Sequence, residues 1–123
     1  MKALVFNGPR DIRFESYADP VLRSPNSAIV KVTACSICGS DLHMYHGAHI
    51  GSTDYSANST KFCCGHEFIG EVVEAGPEVH RFRTGQKVLA AGGTGCGRCT
   101  ACRAGQGSAC PHSTAFGIGP ALE

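Results

Sequence analysis

Four cysteines within fifteen residues constrain this chain more tightly than anything else in it: in "CGRCTACRAGQGSAC", Cys96, Cys99, Cys102 and Cys110 follow a C-x2-C-x2-C-x7-C spacing. Two residues between successive cysteines let the backbone reverse around one ion, so that the sulfurs converge at about 2.3 Å from a tetrahedral zinc. Gly97, Gly105 and Gly107 ease the turns such a wrap demands. A disulfide between residues three apart is possible, but such bridges leave a cysteine of the cluster without a close sequence neighbour. Compartment points the same way. The opening "MKALVFNGPRD" has only Ala3 to Phe6 as an apolar run, too short for the core of a signal peptide, so a cytoplasmic, reducing location is expected. Eight cysteines in such a chain read as metal chemistry ahead of a disulfide framework. A site with four protein ligands and no open position is structural, and its zinc lobe is expected over residues 92–112.

The 123 residues, 42% hydrophobic and 17% charged, suit one domain with a modest core, spanning 1–123. A formal charge of +1 without a long basic or acidic run gives no electrostatic reason to expect nucleic acid or an anionic membrane as a partner. No stretch could span a bilayer as a helix. A small molecule is the expected partner. Gly, Pro and Asn punctuate short β segments and leave little room for a long amphipathic helix, so the class is mainly β. Lys2 to Phe6 and Asp11 to Glu15 predict a pair of strands around "NGPR", and "AIVKVTA" predicts a strand over 28–34 with Val30, Val32 and Ala34 on one face. Further strands are predicted over 67–76 and 86–91, with turns at "GPEV" and "RTGQ". Residues 49–61, rich in Ser, Thr, Asn and Gly, read as an exposed loop.

A second, dispersed signal joins "CGSDLH" to "GHEFIGEVVEAGPEV". Cys38 and His66 are suitable zinc ligands, and Asp41 is able to hold the His66 imidazole by accepting its other N–H, which fixes the tautomer. Taken singly, each has an ordinary explanation: a lone Cys is usually a small buried hydrophobe, and a His beside a Glu is usually a surface or core residue. Cys35, Cys63 and Cys64 read as buried small apolar residues, with metal capture or oxidation at Cys63 or Cys64 as the functional alternative. His46, His49, His80 and His112 read as surface residues.

Together with "MKALVF", "RFRTGQKV" and the four-cysteine lobe, these motifs make the chain resemble the N-terminal GroES-like catalytic domain of the zinc-dependent alcohol dehydrogenases, in the medium-chain dehydrogenase/reductase superfamily. The signature runs from Gly65, His66 and Glu67 through Gly70 and Gly76 to Val79, and the resemblance covers essentially the whole chain. It implies a GroES-like, partly open β-barrel with short helices and a zinc-binding lobe. It also implies that Cys38 and His66 hold a catalytic zinc, that Glu67 is a nearby carboxylate able to enter the coordination sphere, and that Asp41 orients His66. Ser40 falls where the family hydrogen-bonds the substrate alcohol, and His43 where many members pass its proton toward solvent. The implied reaction is oxidation of a small alcohol or polyol to a carbonyl with NAD or NADP. Zinc lowers the pKa of the bound alcohol, and the resulting alkoxide releases hydride to a nicotinamide. Ser40 offers the proton a short path and His43 hands it on. Ser40 also reads as the N-cap of a short helix.

The pattern departs from the family in two ways. The third catalytic ligand, a Cys, Asp or Glu, and the Rossmann nucleotide-binding domain both fall in the family beyond the equivalent of residue 123. No G-x-G-x-x-G follows a strand here, since "GGTGCG" leads into the metal lobe. The chain, ending in "FGIGPALE", is thus expected to be a piece of a longer enzyme and inactive alone, the nucleotide cofactor belonging to the full enzyme only. Strand edges that later segments would cover lead us to expect a homo-oligomer. Two other classes compete. A zinc-finger or ribbon module shares the cysteine cluster, but Arg98 and Arg103 make a thin basic face and "CGSDLH" is left without a role. A zinc-stabilised GroES-like structural or binding module without catalysis shares the barrel, since fold does not fix function.

Overall fold

The computed structural model describes residues 1–50, 53–56 and 61–118. In chain order the elements are β1 (Lys2–Gly8), β2 (Asp11–Ser16), β3 (Ala28–Cys35), α1 (Gly39–Tyr45), β4 (His49–Ile50), β5 (Thr53–Asp54), β6 (Phe62–Cys63), β7 (Phe68–Ala75), β8 (Lys87–Leu89), β9 (Gly93–Thr94), α2 (Thr100–Arg103), a 3-10 turn (Gly107–Ala109) and β10 (Thr114–Ala115). The protein is mainly β with short helices. Among the described residues its strands divide into four sheets and do not close a barrel, which fits the partly open architecture expected.

The first sheet has the order β2-β1-β6 and is antiparallel throughout. The start of β1 alternates as a half-buried strand must: Ala3 and Val5 turn inward, Lys2 and Leu4 outward. Phe6 then packs with Met44 of α1, Tyr55 and Phe62 into the fully buried core. The Phe6 ring stacks on Phe62 at 5.1 Å and meets Tyr55 edge-on at 5.9 Å, an arrangement that aromatic quadrupoles favour. Met44 fastens α1 to this sheet, and α1 carries Ser40, Asp41 and His43.

The second sheet, of order β3-β7-β8, brings the two ligand-bearing segments together. Its β3–β7 ladder runs from Ala28↔Ala75 to Cys35↔Phe68, so the chain leaving β3 toward Cys38 and the chain entering β7 from His66 emerge side by side. The expected single face of Val30, Val32 and Ala34 does not form. A register shift lies between Val32 and Ala34, so Val32 pairs with buried Gly70 while Ala34 pairs with exposed Ile69 on the other side.

Other boundaries also differ from expectation. The strand predicted over 86–91 shortens to β8. Inside 49–61, β4 and β5 pair, and Tyr55 is buried with its hydroxyl donating to the Ile118 carbonyl, so this segment is not simply an exposed loop. Composition misled here because one aromatic outweighs its polar neighbours once it finds an apolar pocket. Part of that segment, 51–52 and 57–60, and the terminal 119–123 lie outside the described residues.

Candidate functional site

Two clusters of ligand-type side chains form among the described residues. In the first, the Sγ atoms of Cys96, Cys99, Cys102 and Cys110 all lie within 4.8 Å of one another, and all four are free thiols. Backbone N–H groups point at the sulfurs: Cys102 donates to Cys99 Sγ at 3.5 Å, and Cys96 and His112 each donate to Cys110 Sγ at 3.3 Å. The N–H groups of Arg98 and Cys99 hold the Cys96 thiol down to about 6, and the Cys96 N–H lowers Cys110. Burial instead pushes Cys102 up to about 12. Four sulfurs this close resist common ionisation unless a cation compensates, which is the chemistry of a thiolate metal site. Gly95 belongs to the wrap as well, since a Cβ there would stand 2.7 Å from Cys102 Sγ.

In the second cluster, the ligand atoms of Cys38, His66 and Glu67 likewise lie within 4.8 Å of one another. Cys38 occupies the N-cap of α1, with extended backbone at φ −96°. The expectation that Ser40 is the cap is therefore corrected: Ser40 lies inside α1, which begins at Gly39. Asp41, three residues after the cap, accepts the Cys38 backbone N–H on Oδ2 at 2.8 Å and presents Oδ1 to His66 Nδ1 at 3.4 Å. That separation is just beyond a normal N–H···O bond, yet both atoms are buried and have no other partner among the described residues. His66 itself is 7% exposed. A tautomer with its proton toward Asp41 leaves Nε2 outward, where Ser40 Oγ stands 3.2 Å away. Gly65 reaches this position at φ +108°, and a Cβ on Gly117 would run into the Gly65 backbone, so close packing of two glycines backs the histidine.

Glu67 is exposed, and His43 lies on the exposed side of α1 without a hydrogen bond to Ser40 among the described residues. His46, His49, His80 and His112 are exposed, as expected of surface residues. Cys35 is exposed as well, contrary to the burial expected of it, because it ends a strand whose side is left open. Cys64 is half-buried, and desolvation pushes its thiol up to about 12. Among the described residues, neither Cys63 nor Cys64 joins a ligand-type cluster. Sequence reasoning missed Ser36, whose hydroxyl donates to Glu67 Oε2 at 2.7 Å. No sequence signal finds this pair, because the register that places Ser36 opposite Glu67 includes a shift between Val32 and Ala34.

Residues 24–123 match the family of the alcohol dehydrogenase GroES-like domain. The chain is 42% identical over 117 residues to the medium chain reductase/dehydrogenase ucsI of Acremonium sp., covering 95% of this chain and 38% of the relative. It is 38% identical over 117 residues to zinc-type alcohol dehydrogenase B of Aspergillus flavus, covering 95% and 26%. The alcohol dehydrogenase TADH from Thermus sp. ATN1 superposes with a TM-score of 0.82 at 34% identity, over 99% of this chain and 33% of that one. The chain thus spans between about a quarter and two fifths of the length of these proteins.

Proposed function

The chain belongs to the family of alcohol dehydrogenase GroES-like domains, and from that membership we propose that it is the zinc-binding catalytic part of an NAD- or NADP-dependent alcohol or polyol dehydrogenase. The observation that carries the reading is the convergence of Cys38, His66 and Glu67 around a buried imidazole already faced by a carboxylate. A thiolate, an imidazole and a carboxylate oxygen are a donor set that suits zinc, and a metal-bound imidazole commonly turns its other N–H to a carboxylate. Cys96, Cys99, Cys102 and Cys110 are the ligands of a separate, structural zinc.

A zinc ion held by Cys38, His66 and Glu67 would supply a Lewis acid that makes a substrate hydroxyl easier to deprotonate, and the nicotinamide of the full enzyme would supply the hydride acceptor. The chain's own residues do the rest. Asp41 holds Nδ1–H of His66 and, through the Cys38 N–H, sets the start of α1, so one carboxylate fixes both ligands. Ser40, whose hydroxyl stands 3.2 Å from His66 Nε2, relays the substrate's proton, accepting it as its own passes to water. His43, on the same helix and open to water, receives that proton through solvent and releases it.

In the full-length protein, Cys38→Ser is expected to lower alcohol-dependent reduction of NAD or NADP by about a thousandfold, as a loss of several kcal/mol of charge stabilisation implies. The 123-residue chain alone is expected to show no such turnover. Undiminished turnover after Cys38→Ser would refute the catalytic reading and favour a structural module.

A further inference from the structure

The β3–β7 ladder does not stop at its last regular pair, Cys35↔Phe68. One residue further, the Ser36 N–H donates to the Glu67 carbonyl at 2.9 Å, and the Ser36 hydroxyl donates to Glu67 Oε2 at 2.7 Å. Backbone and side chain thus both bind Ser36 to Glu67. The register that aligns the strands also sets this pair, two residues before Cys38 and one after His66.

An exposed glutamate ordinarily spreads over many rotamers, and holding it in one has an entropic cost. Here the carboxylate is held while its oxygen lies within 4.8 Å of the ligand atoms of Cys38 and His66. A carboxylate has about four acceptor positions, and the Ser36 hydroxyl uses one of them. We infer that Ser36 is a positioning residue for Glu67: its hydroxyl fixes the Glu67 carboxylate beside Cys38 and His66 as an oxygen ligand for a divalent metal. This rests on reading those three residues as a metal site. It adds that the third donor is prearranged by a serine at the end of β3.

The test is a cobalt(II) titration of the full chain after its four-cysteine lobe has been filled with zinc, following the thiolate-to-cobalt absorption that Cys38→Ser removes. Ser36→Ala should weaken this binding about 10- to 100-fold, the usual consequence of losing a group that orients a ligand. Ser36→Thr, which keeps the hydroxyl, should restore it. Glu67→Gln should weaken it similarly, and the double variant Ser36→Ala with Glu67→Gln should bind no more weakly than Glu67→Gln alone. Circular dichroism should be the same for all variants, since the pair sits on an exposed edge. Cobalt binding by Ser36→Ala as tight as the unsubstituted chain's, or full additivity in the double variant, overturns the inference and leaves the metal-site reading standing. Absence of any Cys38-dependent band in the unsubstituted chain would instead bring down the metal-site reading, and the inference with it.

Discussion

At the scale of single residues, Asp41 bears the greatest burden, because one carboxylate serves a backbone and an imidazole. Its Oδ2 accepts the Cys38 N–H and its Oδ1 faces His66 Nδ1. Asn at this position keeps an oxygen for the Cys38 N–H but turns an amide N–H toward a ring nitrogen that needs an acceptor. Asp41→Asn is therefore expected to leave the melting temperature almost unchanged while weakening metal binding at Cys38 and His66 about 10- to 100-fold, read by metal titration. Asp41→Ala should also orphan the Cys38 N–H, at a cost of about 1–3 kcal/mol in thermal or denaturant unfolding. Equal metal affinity in Asp41→Asn and the parent would show that the 3.4 Å approach to His66 has no orienting role. Cys64 makes a different residue-scale case. Its thiol is pushed up to about 12 by burial, and the thiolate is the nucleophile, so alkylation at neutral pH should label Cys64 more slowly than exposed Cys35 in mass-spectrometric mapping.

Among the elements, the cysteine lobe has the least of its own to stand on. Its helix α2 spans Thr100–Arg103 and its 3-10 turn Gly107–Ala109, and neither buries a residue. With no apolar core in those turns, the lobe folds around its four sulfurs if they hold the proposed zinc, and structural zinc contributes roughly 10–16 kcal/mol of apparent binding energy in peptides. Cys99→Ser is thus expected to release one tightly held zinc and unfold the lobe, whereas His66→Ala should leave that zinc in place; elemental analysis of dialysed variants decides it. Acid should act likewise. The folded lobe lowers the Cys96 thiol to about 6 and lowers Cys110, so both contribute stability that is present above the ordinary thiol range and is lost as pH falls toward 6. Zinc release should accompany acidification because protons compete with the metal for all four sulfurs, and a lobe that keeps its zinc well below pH 5 would contradict it. The clustering of this lobe was legible in the sequence because its four cysteines are local, so spacing alone constrains their meeting. The Cys38 and His66 pair lay beyond spacing and was visible only through its likeness to a family motif. The Ser36–Glu67 bond and the split face of β3 were hidden for a common reason: both depend on the register shift between Val32 and Ala34, which no residue pattern announces.

Considered as a whole molecule, the chain has more surface than its mass calls for. It exposes 8234 Å² at 12.8 kDa, whereas a compact monomer of that mass exposes roughly 6,300 Å². The excess is not spread evenly. The full burial of Phe6, Met44, Tyr55 and Phe62 belongs to the first sheet, α1 and the residue after β5, while the second sheet buries Val72 but leaves Val32 51%, Ile69 49%, Val73 44% and Leu89 76% exposed. Ile69 and Leu89 are direct partners on β7 and β8, so they form a short apolar strip next to the Glu71–Lys87 pair, beside a strand edge that is unpaired among the described residues. Apolar strips and free edges are what soluble monomers avoid, and a stable interface needs only about 800 Å² from each partner. Self-association of the isolated chain through this sheet is the expected outcome. Sedimentation velocity at high micromolar concentration should show dimers or larger species, and Leu89→Lys, which sets a charge in the middle of the strip, should shift the chain toward monomer without unfolding it. A monodisperse monomer for the unsubstituted chain would mean that this face tolerates water. A Leu89→Lys variant that still assembles would move the contact to another surface, the edges of the first sheet being the next to probe.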